Sequence, residues 1–424
     1  MARLRIDASV LRIVVLFALL SAGLRAPAQE NELILAAAKG DLPRVKTLIA
    51  SRADVNAKVG GSLTALMAAS LNGYTEIVRA LIDAHCDLNA ATADGETALI
   101  GAAQFDHIET LQALLDAHAD VDSRDKSGNT ALLVAAMAGH ADAMHALAAA
   151  HADVNAKENS GITALMIFSQ NGPLAAVQDL LEFHPDVNAK NNEGHTALMI
   201  ASTNNHDDIV RALLVAKSDV NASNNVGGTA LMAAALVSDL AIERDLLAAG
   251  ADVNAPAIDG TTALLTASFA GRAEVMRLLL AAHANLNVSN TQGATPLLFA
   301  AGSGDPDAVR VLIAHGVDVN AKVVGQPTAE ADGDATPLMV AAEKGHSEAV
   351  GILLAAKANV NATTASGATA LMLASKYGNA EVVKVLLAAG AEVNARTKKS
   401  ETALSAAATH PEVRSILLQA GAKN

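Results

Sequence analysis

A clock of 33 residues runs through this chain and limits it to architectures made by stacking one unit. The triplet Thr-(Ala/Pro)-Leu begins at Thr64, Thr97, Thr130, Thr163, Thr196, Thr229, Thr262, Thr295, Thr336, Thr369 and Thr402. The step is 33 residues throughout, except for 41 between Thr295 and Thr336. A second marker, (Val/Leu)-(Asn/Asp), keeps the same time at Asn56, Asn89, Asp122, Asn155, Asn188, Asn221, Asn254, Asn287, Asn320, Asn361 and Asn394. The segment before Thr64 keeps this marker without the triplet, which makes twelve units. In such an array each unit contacts only its neighbours, and stability accumulates along the stack. Composition agrees. Hydrophobic residues make up 51% of the 424, yet aromatics are 2% and tryptophan is absent, so small aliphatic side chains must fill the interior.

One unit read closely shows the design. Thr130-Ala131-Leu132-Leu133-Val134-Ala135-Ala136 is a short helix of good helix formers. Gly139-His140 is a turn, and Ala143 to Ala149 is a second helix with Leu147 facing inward. Ala152-Asp153-Val154-Asn155 then leads through Lys157 to Gly161, a polar, turn-rich stretch expected to form a hairpin finger. The threonine hydroxyl is placed to cap the first helix. The turn glycine supplies a left-handed backbone position.

These features resemble the ankyrin repeat. The resemblance rests on the period and on Thr295-Pro296-Leu297 and Thr336-Pro337-Leu338. It rests also on Ala341-Ala342-Glu343-Lys344-Gly345-His346 and on the run Leu246 to Ala255, and it covers essentially the whole chain after residue 28. It implies an all-α solenoid of about twelve stacked repeats, each a helix–turn–helix plus a β-hairpin finger, curved and right-handed. The expected units are 29–61 as N-terminal cap, then 62–94, 95–127, 128–160, 161–193, 194–226, 227–259, 260–292, 293–333 with a long finger, 334–366 and 367–399, with 400–424 as C-terminal cap. The Ala-rich style resembles bacterial members of the family.

Several positions depart from the family pattern. Where the triplet is usually followed by His, this chain has Met67, Met166, Met199, Met232, Met339 and Met372, with Ile100, Leu133, Leu265 and Leu298 at others. Stacking requires an apolar file here; an oxidation-sensitive or adaptable surface is the other reading. His85, His118, His151, His184 and His283 replace the glycine that ends the second helix. They read as turn substitutions, since His tolerates the left-handed region better than most residues; a pH-responsive edge is the other reading. The eight extra residues fall in Val323 to Asp334 and read as a lengthened finger. Pro173, Ser238-Asp239 and Phe168 depart from the consensus between Ile162 and Asp239, where weaker local stability is expected.

Residues 1–28 do not follow the clock. Arg3, Arg5 and Arg12 precede the apolar run Ile13 to Leu20 and the small-residue site Ala26-Pro27-Ala28, as in a secretory signal peptide cleaved after Ala28. The expected location is therefore periplasmic or secreted, with no membrane insertion after cleavage. The net charge of −14 and the lack of aromatic platforms exclude a nucleic-acid footprint. The single cysteine, Cys86, excludes an internal disulfide and a Cys-based zinc site. No catalytic elbow, phosphate loop, paired-His metal motif or dinucleotide fingerprint is present. Catalytic, metal and cofactor sites are all expected to be none. Asn221, Asn287 and Asn361 open glycosylation sequons at the Val/Leu-Asn marker and carry weight only in a eukaryotic source.

The resemblance implies a monomeric, non-catalytic scaffold that binds a protein partner on its concave face. Positions seven and eight after each threonine are then the contact positions. They are represented by Leu71, Phe105, Met137, Asn171, Asn204, Leu236, Phe269, Lys344 and Tyr377. Finger tips such as Glu96, Asn129, His195, Ile258, Asp259 and Lys398 would join them. Lys376, Lys384, Arg396, Lys398 and Lys399 make the C-terminal end basic. An envelope stress or ligand sensor that uses the Met and His files is the alternative.

Overall fold

The computed structural model describes residues 28–60, 62–237, 240–322 and 334–423. The segment before Ala28, expected to be a signal peptide, and nearly all of the long finger lie outside the described residues. Within them the chain forms 24 helices in alternating short pairs, from Ala28–Lys39 and Leu42–Ala50 to Ala403–Ala406 and Pro411–Gln419. It divides into two compact units, one up to Ala197 and one from Leu198. In each, first helices pack on neighbouring first helices and second helices on second helices.

Each helix is too short to be stable alone, so the stack supplies the stability. The first helix Ala65–Leu71 is buried on every side from Ala65 to Ser70, as expected of a helix apolar all round. The second helix Thr75–Asp83 is amphipathic, with Ile77, Val78 and Leu81 inward. Burying each such Leu, Ile or Val contributes about 1.5–3 kcal/mol. The methionine file belongs to this interior: Met67, Met166, Met199, Met232, Met339 and Met372 are at most 7% exposed. It packs between first helices and presents no surface.

Local hydrogen bonds set the helix limits. The triplet threonine accepts from the third residue after it, with Oγ1 3.2–3.4 Å from the amide nitrogen in units such as Thr64, Thr130, Thr262 and Thr336. That bond satisfies one of the orphan donors at a helix start. The second helix Thr75–Asp83 ends in a left-handed residue. His85 has φ +60, its N–H reaches the carbonyl of Ile82, and that of Cys86 reaches Leu81, the double closure of a Schellman turn. His118, His151, His184 and His283 also have positive φ, and all five imidazoles are exposed. They are turn residues, as the sequence reading had them.

Strands of the expected β-hairpin finger are not seen among the described residues, which contain only the isolated bridges Val59–Leu63 and Ser223–Thr229. Described fingers such as that of Asp125 close as tight turns. The N–H of Asp125 donates to Asn129 O and that of Gly128 to Asp125 O, at 3.0 Å each. The arms are too short to form a ladder, so the fingers pair between units. Lys126 N–H donates to Asp94 O, Asn159 to Ser127, and Asn192 to Ser160; farther along, Ile258 donates to Val226, Thr291 to Asp259 and Lys398 to Ser366.

The Val/Leu-Asn marker forms a second ladder. Asn56, Asn89 and Asn155 accept at Oδ1 from the backbone of Asp87, Asp120 and Asp186 at 2.7–2.8 Å. Asn221, Asn254 and Asn361 do the same for Asp252, Asn285 and Glu392. These three also donate from Nδ2 to Gly250, His283 and Gly390 carbonyls. The amides of the Asn221 and Asn361 sequons are therefore engaged in packing. The recurrent aspartates close Asx turns on the marker, as Asp87 does with Asn89 N at 3.0 Å.

Candidate functional site

A third ladder fixes where the variable side chains stand. In several units the residue that opens the second helix reaches back to the end of the previous first helix. His107 Nε2 lies 3.2 Å from Leu71 O, and His140 Nε2 lies 3.2 Å from Gln104 O. In the second unit the same role falls to Arg272 on Leu236 O, His346 on Gly302 O, Asn379 on Glu343 O and His410 on Lys376 O. A carbonyl only accepts, so each imidazole carries its proton on Nε2. Leu71 and Gln104 in the first compact unit, and Leu236, Gly302, Glu343 and Lys376 in the second, all seventh after their threonine, are held in the same way, and the 33-residue repeat sets the other seventh residues in the same file.

The turn glycine belongs to this joint. A Cβ on Gly73, φ +69, would lie 2.6 Å from His107 Nδ1; on Gly304 or Gly378 it would lie as close to His346 or His410. Glycine and histidine of adjacent units thus interlock. The sequence signal was the recurring Gly-His pair, read there only as a turn. At Gly139, where the next unit has Pro173 in place of His, an added Cβ meets nothing within 4 Å.

The residues expected from sequence to make contact divide into two groups. Met137 is 51% exposed, Phe269 63%, Leu236 46% and Tyr377 40%, and Asn171, Asn204 and Lys344 are exposed as well. Leu71 and Phe105 are half-buried. Leu71 packs over Gly101, whose missing Cβ would stand 3.0 Å from Leu71 Cδ2, and Phe105 leans on His107 with ring centroids 6.3 Å apart. Phe269 stays exposed because it meets Phe299 edge to face, centroids 5.5 Å apart, instead of turning inward. The finger file adds Val226, 65% exposed, and Ile258, 76% exposed.

Charge is unevenly placed on these files. Lys376, Lys398 and Lys399 are exposed at the C-terminal end. Lys384 is not part of that surface, since it pairs with Glu381 on its own second helix at 2.6 Å. Arg396 is held by its neighbour Ser400, donating to the backbone carbonyl. Glu343 sits in the seventh-residue file but is buried, with Oε1 3.5 Å from Lys344 Nζ. A second acid, Glu243, is fully buried in the second helix Leu240–Ala248. Neither stood out in the sequence, because both occupy ordinary helical positions.

The described residues hold no cluster of three or more His, Cys, Asp or Glu placed for a metal ion, and no helix long and apolar enough to cross a membrane. Cys86 is buried, and burial pushes its thiol up to about 11.

Comparisons accord with this geometry. The family model for three ankyrin repeats matches five stretches, 33–125, 102–191, 165–257, 231–323 and 338–424, the first four overlapping. The interval left between the last two contains the long finger. Curated protein sequences gave no match. Among solved structures, the crystal structure of the human ASB11 ankyrin repeat domain is similar, at 26% identity and a TM-score of 0.50; the likeness covers 54% of this chain and all of that one. The triplet caps, the interlocked turns and a family match running from residue 33 to residue 424 place this chain in the ankyrin-repeat family.

Proposed function

We propose that this chain is a non-catalytic scaffold that binds a protein partner outside the cytoplasm, on the seventh-residue and finger files. The supporting observation is a contrast within the repeat. Positions that serve the ladders vary little: Thr at the cap, Asn or Asp at the marker, and mostly Gly then His at the turn, with Tyr74, Pro173, Arg272, Asp305 and Asn379 as exceptions at the helix opening. The two files serve the ladders only through their backbone, and their side chains change from unit to unit. Exposed Met137, Leu236 and Phe269 lie there, and exposed apolar patches mark interaction sites. Export rests on the pattern of residues 1–28.

The test compares capture of a partner from the envelope or secreted fraction by three baits. These are the wild type, Leu236→Ser/Phe269→Ser on the files, and Val215→Ser/Leu418→Ser, exposed residues outside them. A partner retained by the wild type and the Val215/Leu418 variant but lost from the file variant is the expected result. Equal retention by all three would overturn the assignment of the surface. Cell fractionation with N-terminal sequencing checks export, which predicts a new N-terminus at Gln29.

A further inference from the structure

In the second compact unit both files change character in the same direction. Along the seventh-residue file stand Leu236, Phe269 and Gly302, then Glu343 and Lys376. Along the finger file stand Val226 and Ile258, then Thr291, and at the far end Ser366, Lys398 and Lys399. The bonds described above hold Leu236, Gly302, Glu343 and Lys376 at one place in their units and tie Ile258 to Val226, Thr291 to Asp259 and Lys398 to Ser366; the finger between Thr291 and Ser366 lies outside the described residues. Two files with different structural origins are thus apolar at one end and cationic at the other. Phe299 widens the apolar end by its edge-to-face contact with Phe269, and exposed Tyr377 and Lys344 flank the cationic end. Among the described residues of these files at that end, Glu343 is buried beside Lys344, Asp334 at the base of the long finger pairs with Lys322 at 3.9 Å, and Glu401 stands exposed at the base of the last finger. Asp259 is exposed beside Ile258, so the apolar end carries the negative charge of that stretch. All this sits on a chain whose net charge is −14.

We propose that the occupant of this surface is a partner segment with apolar side chains at one end and carboxylates at the other. Its apolar end lies over Leu236, Phe269, Val226 and Ile258, and its carboxylates lie over Lys376, Lys398 and Lys399. The proposal rests on the scaffold reading above and specifies its ligand. Charge complementarity fixes the direction, since a reversed segment would set its carboxylates against Asp259 and its apolar side chains against the lysines. Three units separate Phe269 from Lys376. At about 10 Å per stacked helix layer that is about 30 Å, or about nine residues of extended chain. A segment of about 14 residues spans both ends with some margin.

Selection of a phage-displayed library of random peptides of about that length against the full chain tests this. The expected winners carry Leu, Ile, Phe or Met in one half and Asp or Glu in the other. A synthetic copy of the leading peptide should bind Phe269→Asp at least about tenfold more weakly, a change of about 1.4 kcal/mol. It should lose as much on Lys376→Glu/Lys398→Glu, and exchanging its carboxylates for lysines should restore binding to that charge-reversed variant. All three positions are exposed, so circular dichroism and melting should match the wild type. Winners without an acidic excess, or winners indifferent to charge reversal yet lost on Phe269→Asp, would overturn the ligand chemistry and leave the scaffold reading standing. Winners indifferent to every variant, or no enrichment, would overturn both.

Discussion

Replacing Gly73 by alanine should destabilise its surroundings by about 2–3.5 kcal/mol, whereas the same change at Gly139 should cost about 1–2 kcal/mol. Both glycines have left-handed backbones, φ +69 and +80, and alanine there costs about 1–2 kcal/mol. The difference comes from the neighbour. A Cβ at residue 73 would lie 2.6 Å from His107 Nδ1, so the imidazole must move. Its 3.2 Å bond to Leu71 O is then lost, which adds about 1–1.5 kcal/mol. At residue 139 the Cβ meets nothing within 4 Å, and only the backbone term remains. A long array does not unfold in one step, so the assay is hydrogen exchange of the amides in Ala65–Leu71 and Ala98–Gln104, compared with Ala131–Ala138. In a His107→Ala background the extra cost of Gly73→Ala should vanish. Equal costs at the two glycines, within about 0.5 kcal/mol, would refute the interlock.

Further outcomes follow from other positions. Asp122 stands at an Asn position of the marker ladder; it accepts from Asp153 N at 2.9 Å but, once ionised, cannot donate as Asn221 does to Gly250 O. Asp122→Asn should therefore stabilise its unit by about 0.5–1 kcal/mol, read as slower exchange at Asp153 and its neighbours. Burial, then Asp94 and Asp125, hold the Glu96 carboxyl above the ordinary carboxylate range. A raised acid favours its protonated form in the folded state. Glu96→Gln should thus stabilise by a few tenths of a kcal/mol at neutral pH after solvent screening, and the gain should disappear as pH falls below the raised value; a gain that persists in acid would contradict this. Native Cys86 should resist iodoacetamide at pH 8 and react on denaturation, because its thiol sits near 11 and the thiolate is the nucleophile; rapid native labelling would show that the site opens.

Much of the fold was legible because the repeat writes its local chemistry in fixed places. Thr130 announces a cap, Gly139 and His151 announce left-handed turns, and Leu132 and Leu147 announce the interior. What depends on the neighbouring unit was harder to read. Asn89 looked like a turn residue, yet its amide works one unit away, on Asp120. His107 carries no marker of its own in the sequence, yet it ties down Leu71. Leu71 itself is half-buried only because Gly101 opposite lacks a Cβ; a bulkier residue there would have pushed it outward. The finger was read as a hairpin because its polar, glycine-containing turn is what joins two strands. With arms this short its hydrogen bonds go to the next finger instead. The division at Ala197 and Leu198 leaves no mark on the 33-residue clock, although it falls within the stretch from Ile162 to Asp239 where the consensus is weakest. Exposure of Phe269 was open from sequence, since an aromatic at that position can tuck inward as Phe105 partly does.

The central claim is that recognition uses the seventh-residue and finger files and not exposed apolar residues elsewhere. Photo-crosslinking from single positions in the native envelope or secreted fraction tests it most directly. A benzophenone side chain is placed in turn at Met137, Leu236, Phe269 and Ile258, and at Val215 and Leu418, which are 84% and 53% exposed but belong to neither file. A discrete crosslinked partner is expected from positions on the files and none from Val215 or Leu418. Crosslinks that form equally well from Val215, or only there, would contradict the claim.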